Sequence, residues 1–292
     1  MIASERFGWP LVIKADGLAA GKGVVLVDSP AQAVKVVDEM LSGSAFGDAG
    51  RRLVIERCLK GPELSFFVLT DGIRAMPLGS AQDHKRALDG DKGPNTGGMG
   101  AFAPSPLCDA VLQHRILAEI VQPTLAGLRA EGTPYRGFLY CGLMLTAAGP
   151  RVIEFNARLG DPEAQVVLPL VDEPLLPLLD AAAAGSLPDR PVALGAERHV
   201  GVVMASGGYP GDFTTGKVID GLDRAAALDG VTVYHAGTAF ENGKVVTSGG
   251  RVLTVVGRGP DFRTAGARAY AGVSAIRFDG AYYRKDIGAK AL

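Results

Sequence analysis

The sequence predicts an α+β protein in which mixed strands and helices give way to a strand-rich C-terminal part. Three observations carry that expectation. Short apolar runs bounded by Gly, Pro or Asp recur from "WPLVIKADG" to "RVIEFNARLG". Two long stretches, "SPLCDAVLQHRILAEIVQPTLAGLRAEG" and "DPEAQVVLPLVDEPLLPLLDAAAAGSLP", have helical character. From His199 onward, short strands with frequent glycines dominate, and a single helix, "PDFRTAGARAYAGVSAI", interrupts them.

In chain order, "WPLVIKADG" and "KGVVLVDSP" read as two strands joined by a glycine-rich turn. A helix follows, with Ser29 as its cap, Pro30 in its first position, and Val34, Val37 and Leu41 on one face. "RLVIERCL", "ELSFFVLTDG" and "IRAMPLGS" read as further strands. The last runs into a loop, "DHKRALDGDKGPNTGGMG", that is both charged and rich in glycine. The helix after it should kink or break at Pro123. "RGFLYCGLMLTAAGPRVIEFNARLG" is a strand pair about "AAGP", followed by helical pieces cut by prolines. The change in character around "PDRPVALGAERH" predicts two domains, 1–195 and 196–292.

Composition narrows the functional classes. The chain has 292 residues, 47% hydrophobic and 21% charged, enough to bury a sizeable core. Its net charge of −1 and the lack of a basic run argue against nucleic-acid binding through a broad electrostatic footprint. The three cysteines, Cys58, Cys108 and Cys141, show no metal-ligand spacing and suit a reducing, cytoplasmic setting. Acids and prolines interrupt the most apolar stretch, so it falls short of the roughly 18 apolar residues of a membrane span.

The chemistry-bearing segments are few. "IKADGLAAGKGVV" fails the phosphate-loop pattern, because Gly23 follows Lys22 and a strand comes next. It also fails the dinucleotide fingerprint, because no helix opens there. What remains is a hairpin in which Gly17, Gly21 and Gly23 let backbone N–H groups approach an anion, with Lys14 and Lys22 adding charge. An ordinary flexible hairpin is the competing reading. In "RVIEFNARLGDPE", strand alternation places Glu154, Asn156 and Arg158 on one face and turns Ile153 and Phe155 towards a core. A carboxylate and an amide oxygen two residues apart suit a hard cation, and a neighbouring Arg suits a carboxylate or phosphate. Asp161 and Pro162 read as a helix cap and first helical position; a solvated strand face and a capped helix are the plainer alternative. Glu56 and Glu63 flank a connector that could meet a base and a ribose, or be an ordinary surface link. No nucleophile–base arrangement stands out, and His84 reads as a structural hydrogen-bonding group.

Taken together, "VIKADGLAAGKGV", "QDHKRALDGDKGPNTGGMGAFAP" and "EFNARLGDPEAQ" resemble the signature segments of the glycinamide ribonucleotide synthetases, ATP-grasp enzymes of purine synthesis. "GYPGDFTTGKVIDGLD", "VTSGGRVLTVV" and "FDGAYYRKDIGAKAL" resemble the closing domain of that family, so the likeness runs from about Pro10 to Leu292. Arg57 and Pro62 stand where acidic residues are expected, and Leu159 where an aromatic is common.

The resemblance implies an ATP-grasp fold, two α+β lobes (about 1–65 and 66–195) clamping ATP, followed by a small mainly-β domain. It implies ATP contacts at Lys14, Gly17, Gly21, Lys22, Gly23, Glu56, Leu59 and Glu63. Glu154 and Asn156 would hold Mg²⁺ or Mn²⁺, and Arg158 and Asp161 would be catalytic. Asp83, Lys85, Arg86, Asn95, Thr96, Gly97 and Gly98 would bind glycine and 5-phosphoribosylamine, with Gly97, Gly98 and Gly100 letting the loop approach its ligand. The reaction implied is ATP-dependent ligation of these substrates through glycyl phosphate. The family begins with a nucleotide-fold domain for which nothing upstream of Phe7 has room. Slow turnover by this chain alone is therefore expected, with that domain supplied upstream or by another chain. Another carboxylate–amine ligase and a non-catalytic ATP-binding fragment are the alternatives.

Overall fold

The computed structural model describes residues 2–17, 19 and 23–292, and the backbone alone at residue 2. Gly21 and Lys22 of the predicted phosphate-covering turn lie outside the described residues. The chain divides into two compact units, residues 1–61 and 62–292.

The first unit holds α1 (Ile2–Phe7), β1 (Leu11–Ala15), β2 (Val24–Val27), α2 (Pro30–Leu41) and β3 (Leu53–Arg57). β1 is the centre of an antiparallel sheet, with Leu11 opposite both Val27 and Arg57. Leu11, Ile13, Val27 and Met40 are buried together. Ser29 caps α2 as expected, its side chain accepting from the Gln32 N–H. The buried face of α2 differs from the sequence expectation. Ala33, Val36, Val37 and Met40 face the core, whereas Val34 and Leu41 are exposed. Spacings of three and four fit both sets, and only the sheet decides which one is covered.

The second unit contains β4 (Glu63–Thr70), β5 (Ala75–Asp83), β6 (Arg86–Leu88), β7 (Lys92–Asn95), β8 (Gly100–Ala103), α3 (Ala110–Ile116), α4 (Gln122–Ala130), β9 (Gly137–Thr146) and β10 (Gly149–Asn156). It continues with α5 (Ala164–Val167), α6 (Leu175–Ala184), β11 (Arg198–Ala205), α7 (Leu222–Ala226), β12 (Val231–His235), β13 (Thr238–Glu241), β14 (Lys244–Thr247), β15 (Arg251–Gly259) and α8 (Phe262–Ala275). An antiparallel sheet runs β10-β9-β4-β5-β8-β11-β15-β12. The C-terminal strands join it through β8 and β11, where Phe102 faces Val200.

Beyond Glu63, β4 is buried on both faces, which the apolar run Phe66–Leu69 encodes. Leu64, Phe66 and Val68 pack with Ile116 and Leu125 from the α3–α4 side. Phe67 and Leu69 pack with Val166, Leu170 and Leu178 on the opposite side. α8 closes a third core with Phe102, Val202, Val255, Ala265 and Val273.

Two local expectations are corrected. The helix does not break at Pro123. A π-helical turn, Leu117–Val121, links α3 to α4 and lets the proline enter at the start of α4, where its missing N–H is tolerated. Asp161 and Pro162 do not open a helix. Their peptide bond is cis, and α5 begins at Ala164 after Glu163.

Candidate functional site

A polar row crosses one face of the second unit's sheet. Alternation puts Glu63 and Ser65 of β4 and Asp83 of β5 on that face, where Ser65 sits opposite Ala81. Ser65 is also opposite Gly142 of β9, and Gly142 is opposite Glu154 of β10. Asn156 faces Tyr140. These residues, apart from Ala81 and Asn156, line one small cavity together with Lys85, Leu64, Leu143 and Ile153. Gly142 keeps it open, since a Cβ there would lie 3.0 Å from Glu154 Cγ.

The charges are unevenly compensated. Lys85 Nζ pairs with Glu63 Oε2 at 2.6 Å. Burial works against the ammonium, but Glu63 outweighs it and holds the proton more tightly than an ordinary lysine does. Asp83 has no such match: its Oδ1 is buried without a hydrogen-bond partner. Burial, with the nearby Glu163 carboxylate, raises its pKa well above the ordinary carboxylate value. Burial also raises the pKa of Glu163, whose Oε1 accepts from Ser65 Oγ at 3.2 Å. Ser65 Oγ is 3.1 Å from the Tyr140 hydroxyl. This face thus combines paired surface charges with an acidic pair that favours holding a proton.

The charged, glycine-rich segment is a structured hairpin of β6 and β7. Arg86 Nη1 donates to the Gly93 carbonyl at 2.8 Å, and Arg86 and Asn95 are opposite one another. Thr96 donates both its N–H and its hydroxyl to the Lys85 carbonyl. The N–H of Gly97 goes to the Tyr209 hydroxyl, that of Gly98 to Thr96 Oγ1, and that of Met99 to the His84 carbonyl. The backbone donors of this turn are therefore spent inside the protein. Its glycines serve close packing instead. Gly98 has φ +110°, and a Cβ on it would strike Pro162 and lie 2.8 Å from Asp83 Oδ1.

β10 departs from simple alternation. A bulge at Ile153 offsets the register between Val152 and Glu154. Glu154 and Asn156 keep a common face. Phe155 lies opposite Cys141 on the α3–α4 side, but on an edge strand, and stays 40% exposed rather than entering the core. The strand ends at Asn156, so Arg158 is not on the same strand face; its Nη1 donates to the Leu159 carbonyl at 2.7 Å. Asp161 Oδ2 accepts from Arg251 and its Oδ1 from Gln165, each at 2.9 Å.

In the first unit, Lys14 Nζ pairs with Glu56 Oε2 at 2.6 Å. Gly17 donates its N–H to the Ala49 carbonyl, and a Cβ there would sit 2.5 Å from Ala49 Cα. Gly23 closes the hairpin by accepting from the Ala15 N–H. Leu59 follows β3 and is half-buried.

The structure adds residues that the sequence does not single out: Ser65, Tyr140, Gly142, Glu163, Tyr209, Arg251 and Arg284. Arg284 is fully buried and ties the hairpin to the C-terminal tail. It donates to the Arg86 carbonyl, Asp91 Oδ1 and Asp286. Glu163, Tyr209, Arg251 and Arg284 lie inside the family-like segments without having been assigned a role there, whereas Ser65, Tyr140 and Gly142 lie outside them. His84, expected to hydrogen-bond, is buried under Phe102 with both ring nitrogens unpartnered. No group of three or more His, Cys, Asp or Glu side chains among the described residues could hold a metal. No helix among them is long and apolar enough to cross a membrane.

Comparison with known proteins gives this geometry a context. The family profile described as "Phosphoribosylglycinamide synthetase, ATP-grasp (A) domain" matches residues 2–164, and the one described as "Phosphoribosylglycinamide synthetase, C domain" matches residues 199–290. A phosphoribosylamine–glycine ligase of Pseudomonas aeruginosa is 51% identical over 286 residues, covering 98% of this chain and 66% of that protein. The trifunctional purine biosynthetic protein adenosine-3 of Homo sapiens is 50% identical over 283 residues, which are 97% of this chain and 28% of that protein. A crystal structure of phosphoribosylamine–glycine ligase from Thermotoga maritima superposes with a TM-score of 0.88 at 37% identity, covering 97% of this chain and 70% of that one. Biotin carboxylase from Campylobacter jejuni shares the fold alone, with a TM-score of 0.72 at 16% identity over 96% of this chain and 60% of that one. The fold is ATP-grasp with the family's C-terminal domain, and the chain spans about two thirds of the length of the bacterial relative, 66%.

Proposed function

On the premise that this chain belongs to the phosphoribosylglycinamide synthetase family, we propose that it carries out the ATP-dependent joining of glycine to 5-phosphoribosylamine. The observation that supports this most is the polar row of Glu63, Asp83, Lys85 and Glu154 on one sheet face, with Asn156 beside it. In the proposed reaction a glycine carboxylate oxygen attacks the γ-phosphorus of ATP, and the bond to the ADP oxygen breaks. The amine nitrogen of phosphoribosylamine then attacks the acyl carbon of glycyl phosphate. The C–O bond breaks, phosphate leaves and the nitrogen gives up a proton. This chemistry needs positioning and charge neutralisation rather than a covalent nucleophile.

The row suits those tasks. Glu154 and Asn156 offer hard oxygen donors on one face, a set suited to Mg²⁺ or Mn²⁺, which when bound neutralises phosphate charge. Lys85, Arg86 and Arg158 supply positive charge for the carboxylate and phosphates, and Asp83 a carboxylate for an ammonium group. Asn95 and Thr96, with Gly97 and Gly98, shape the acceptor loop. Asp161 acts by holding that loop in place. On the first unit, Lys14, Glu56 and Leu59 are assigned to the nucleotide, as is Glu63 on the second. A division near residue 195 and a cytoplasmic setting, suited by the free cysteines, belong to the same reading.

The test is ADP release by the purified chain with glycine and phosphoribosylamine generated in situ. Release that requires both substrates, with glycinamide ribonucleotide as product, is the expected result. Faster release with a different carboxylate or amine would overturn it in favour of another ATP-grasp ligase. A second reading is a non-catalytic nucleotide-binding module, since the fold is ATP-grasp. Nucleotide binding without release would point there.

A further inference from the structure

We propose that Tyr209 and Arg251, from the C-terminal part of the chain, are positioning residues that set the Gly97 peptide of the acceptor loop. Both backbone polar groups of Gly97 are taken by these two side chains. Its N–H donates to the Tyr209 hydroxyl at 3.0 Å, and its carbonyl accepts from Arg251 Nη1 at 2.7 Å. Arg251 reaches the neighbouring loop with the same guanidinium. Nη1 donates to the Asp161 carbonyl at 2.7 Å and Nη2 to Asp161 Oδ2 at 2.9 Å. One planar fork therefore fixes two loops that are 64 residues apart in sequence (161 − 97).

The surroundings are built for this contact. Gly97 has no Cβ, and one placed there would lie 3.0 Å from the guanidinium carbon. Gly250, next to Arg251, is bare in the same way; a Cβ on it would strike the Tyr209 ring. Ser206 anchors the start of β15, its N–H donating to the Gly250 carbonyl and its hydroxyl to that of Gly249. Asp83 Oδ1, the unpartnered acceptor of the cavity, lies where a Cβ on Gly98 would be 2.8 Å away. A turn of the Gly97–Gly98 backbone would thus move the wall against that carboxylate. A glycine pair has wide conformational freedom of its own, so its single conformation must come from outside the loop.

This inference rests on the proposed ligase only for what the loop binds, and its test separates the two. Amide hydrogen exchange is followed by NMR in the full 292-residue chain, in Tyr209→Phe and in Arg251→Lys. Lys keeps the charge but not the fork. Exchange at Gly97 and Gly98 should rise by roughly tenfold or more in either variant, as expected when the loop loses a hydrogen bond, a neutral one in Tyr209→Phe and a charged one in Arg251→Lys. Leu139 and Val202 in the sheet should keep their protection. The turnover number for glycinamide ribonucleotide should fall about tenfold in step, with KM for ATP unchanged. Unaltered exchange at Gly97 and Gly98 in both variants would overturn the inference, and so would altered exchange with an unaltered turnover number. If the parent chain makes no product, that counts against the proposed function, and the exchange rates alone decide the positioning role.

Discussion

Lys85 Nζ lies 2.6 Å from Glu63 Oε2, and the same ammonium is the cation that lowers the proton affinity of the buried Asp83. One lysine thus serves a carboxylate at the rim and another beneath it. In Lys85→Met, the Asp83 carboxyl should titrate at a still higher pH than in the parent. Carboxyl carbon shifts followed by NMR through a pH series would show it, and a lower midpoint would refute the coupling.

Asp83 also makes a stability prediction. Its folded pKa lies above the ordinary value of 3.8, mainly through burial and then through Glu163. The folded state therefore holds its proton more tightly than the unfolded chain. Its favourable contribution is complete below 3.8 and is lost as pH rises through the folded value. Asp83→Asn should raise the melting temperature at pH 8 and leave it nearly unchanged at pH 3.5. An equal shift at both pH values would contradict this.

His84 has the opposite sign. Burial, with Arg284 and Lys290 nearby and despite Asp91 and Asp286, lowers its pKa from 6.5 to about 4. The neutral ring's contribution is present above 6.5 and is lost as pH falls towards 4. His84→Phe, which also removes two unpartnered nitrogens, should flatten acid destabilisation across that window. Chemical denaturation at a series of pH values is the measurement.

Glu154 and Asn156 sit on an edge strand, and Glu154 is exposed. Replacing both with Ala should cost the fold about 1 kcal/mol or less, as surface changes do. It should abolish Mg²⁺-dependent nucleotide binding in calorimetric titration. Unchanged affinity in the double variant would reject the metal assignment.

Gly98→Ala should be among the costliest single-methyl additions in the loop. Its φ of +110° disfavours a side chain, and the new methyl would meet Pro162 and Asp83. A loss of about 2 kcal/mol or more is expected from backbone strain and overlap together. Gly132→Ala, also at positive φ but with open space around it, is the control that isolates the packing part.

Much of the architecture was readable because local physics sets it. The apolar run of β4, the capped α2 and α8 and the "AAGP" hairpin are all where patterning puts them. The segment from Asp83 to Gly100 looked like a loop because its hairpin strands, Arg86–Leu88 and Lys92–Asn95, lack apolar alternation. They are held by Arg284, Asp286 and Tyr282, almost two hundred residues away. The cis Asp161–Pro162 bond hid in the same way, since the pair satisfies a helix-start pattern that the tertiary structure does not use.

By itself, the sequence determined the patterned elements such as β4, α2 and α8, the family-like motifs and the common face of Glu154 and Asn156, because strand period and residue chemistry are local properties. Only the tertiary structure decided that the donors of the Gly97–Gly98 turn are spent internally and that Tyr209 and Arg251 hold it. It also decided that Asp83 is buried beside Glu163, which raises its proton affinity. Hydrogen-bond partnership and desolvation depend on which distant segments come together, and periodicity carries no record of that.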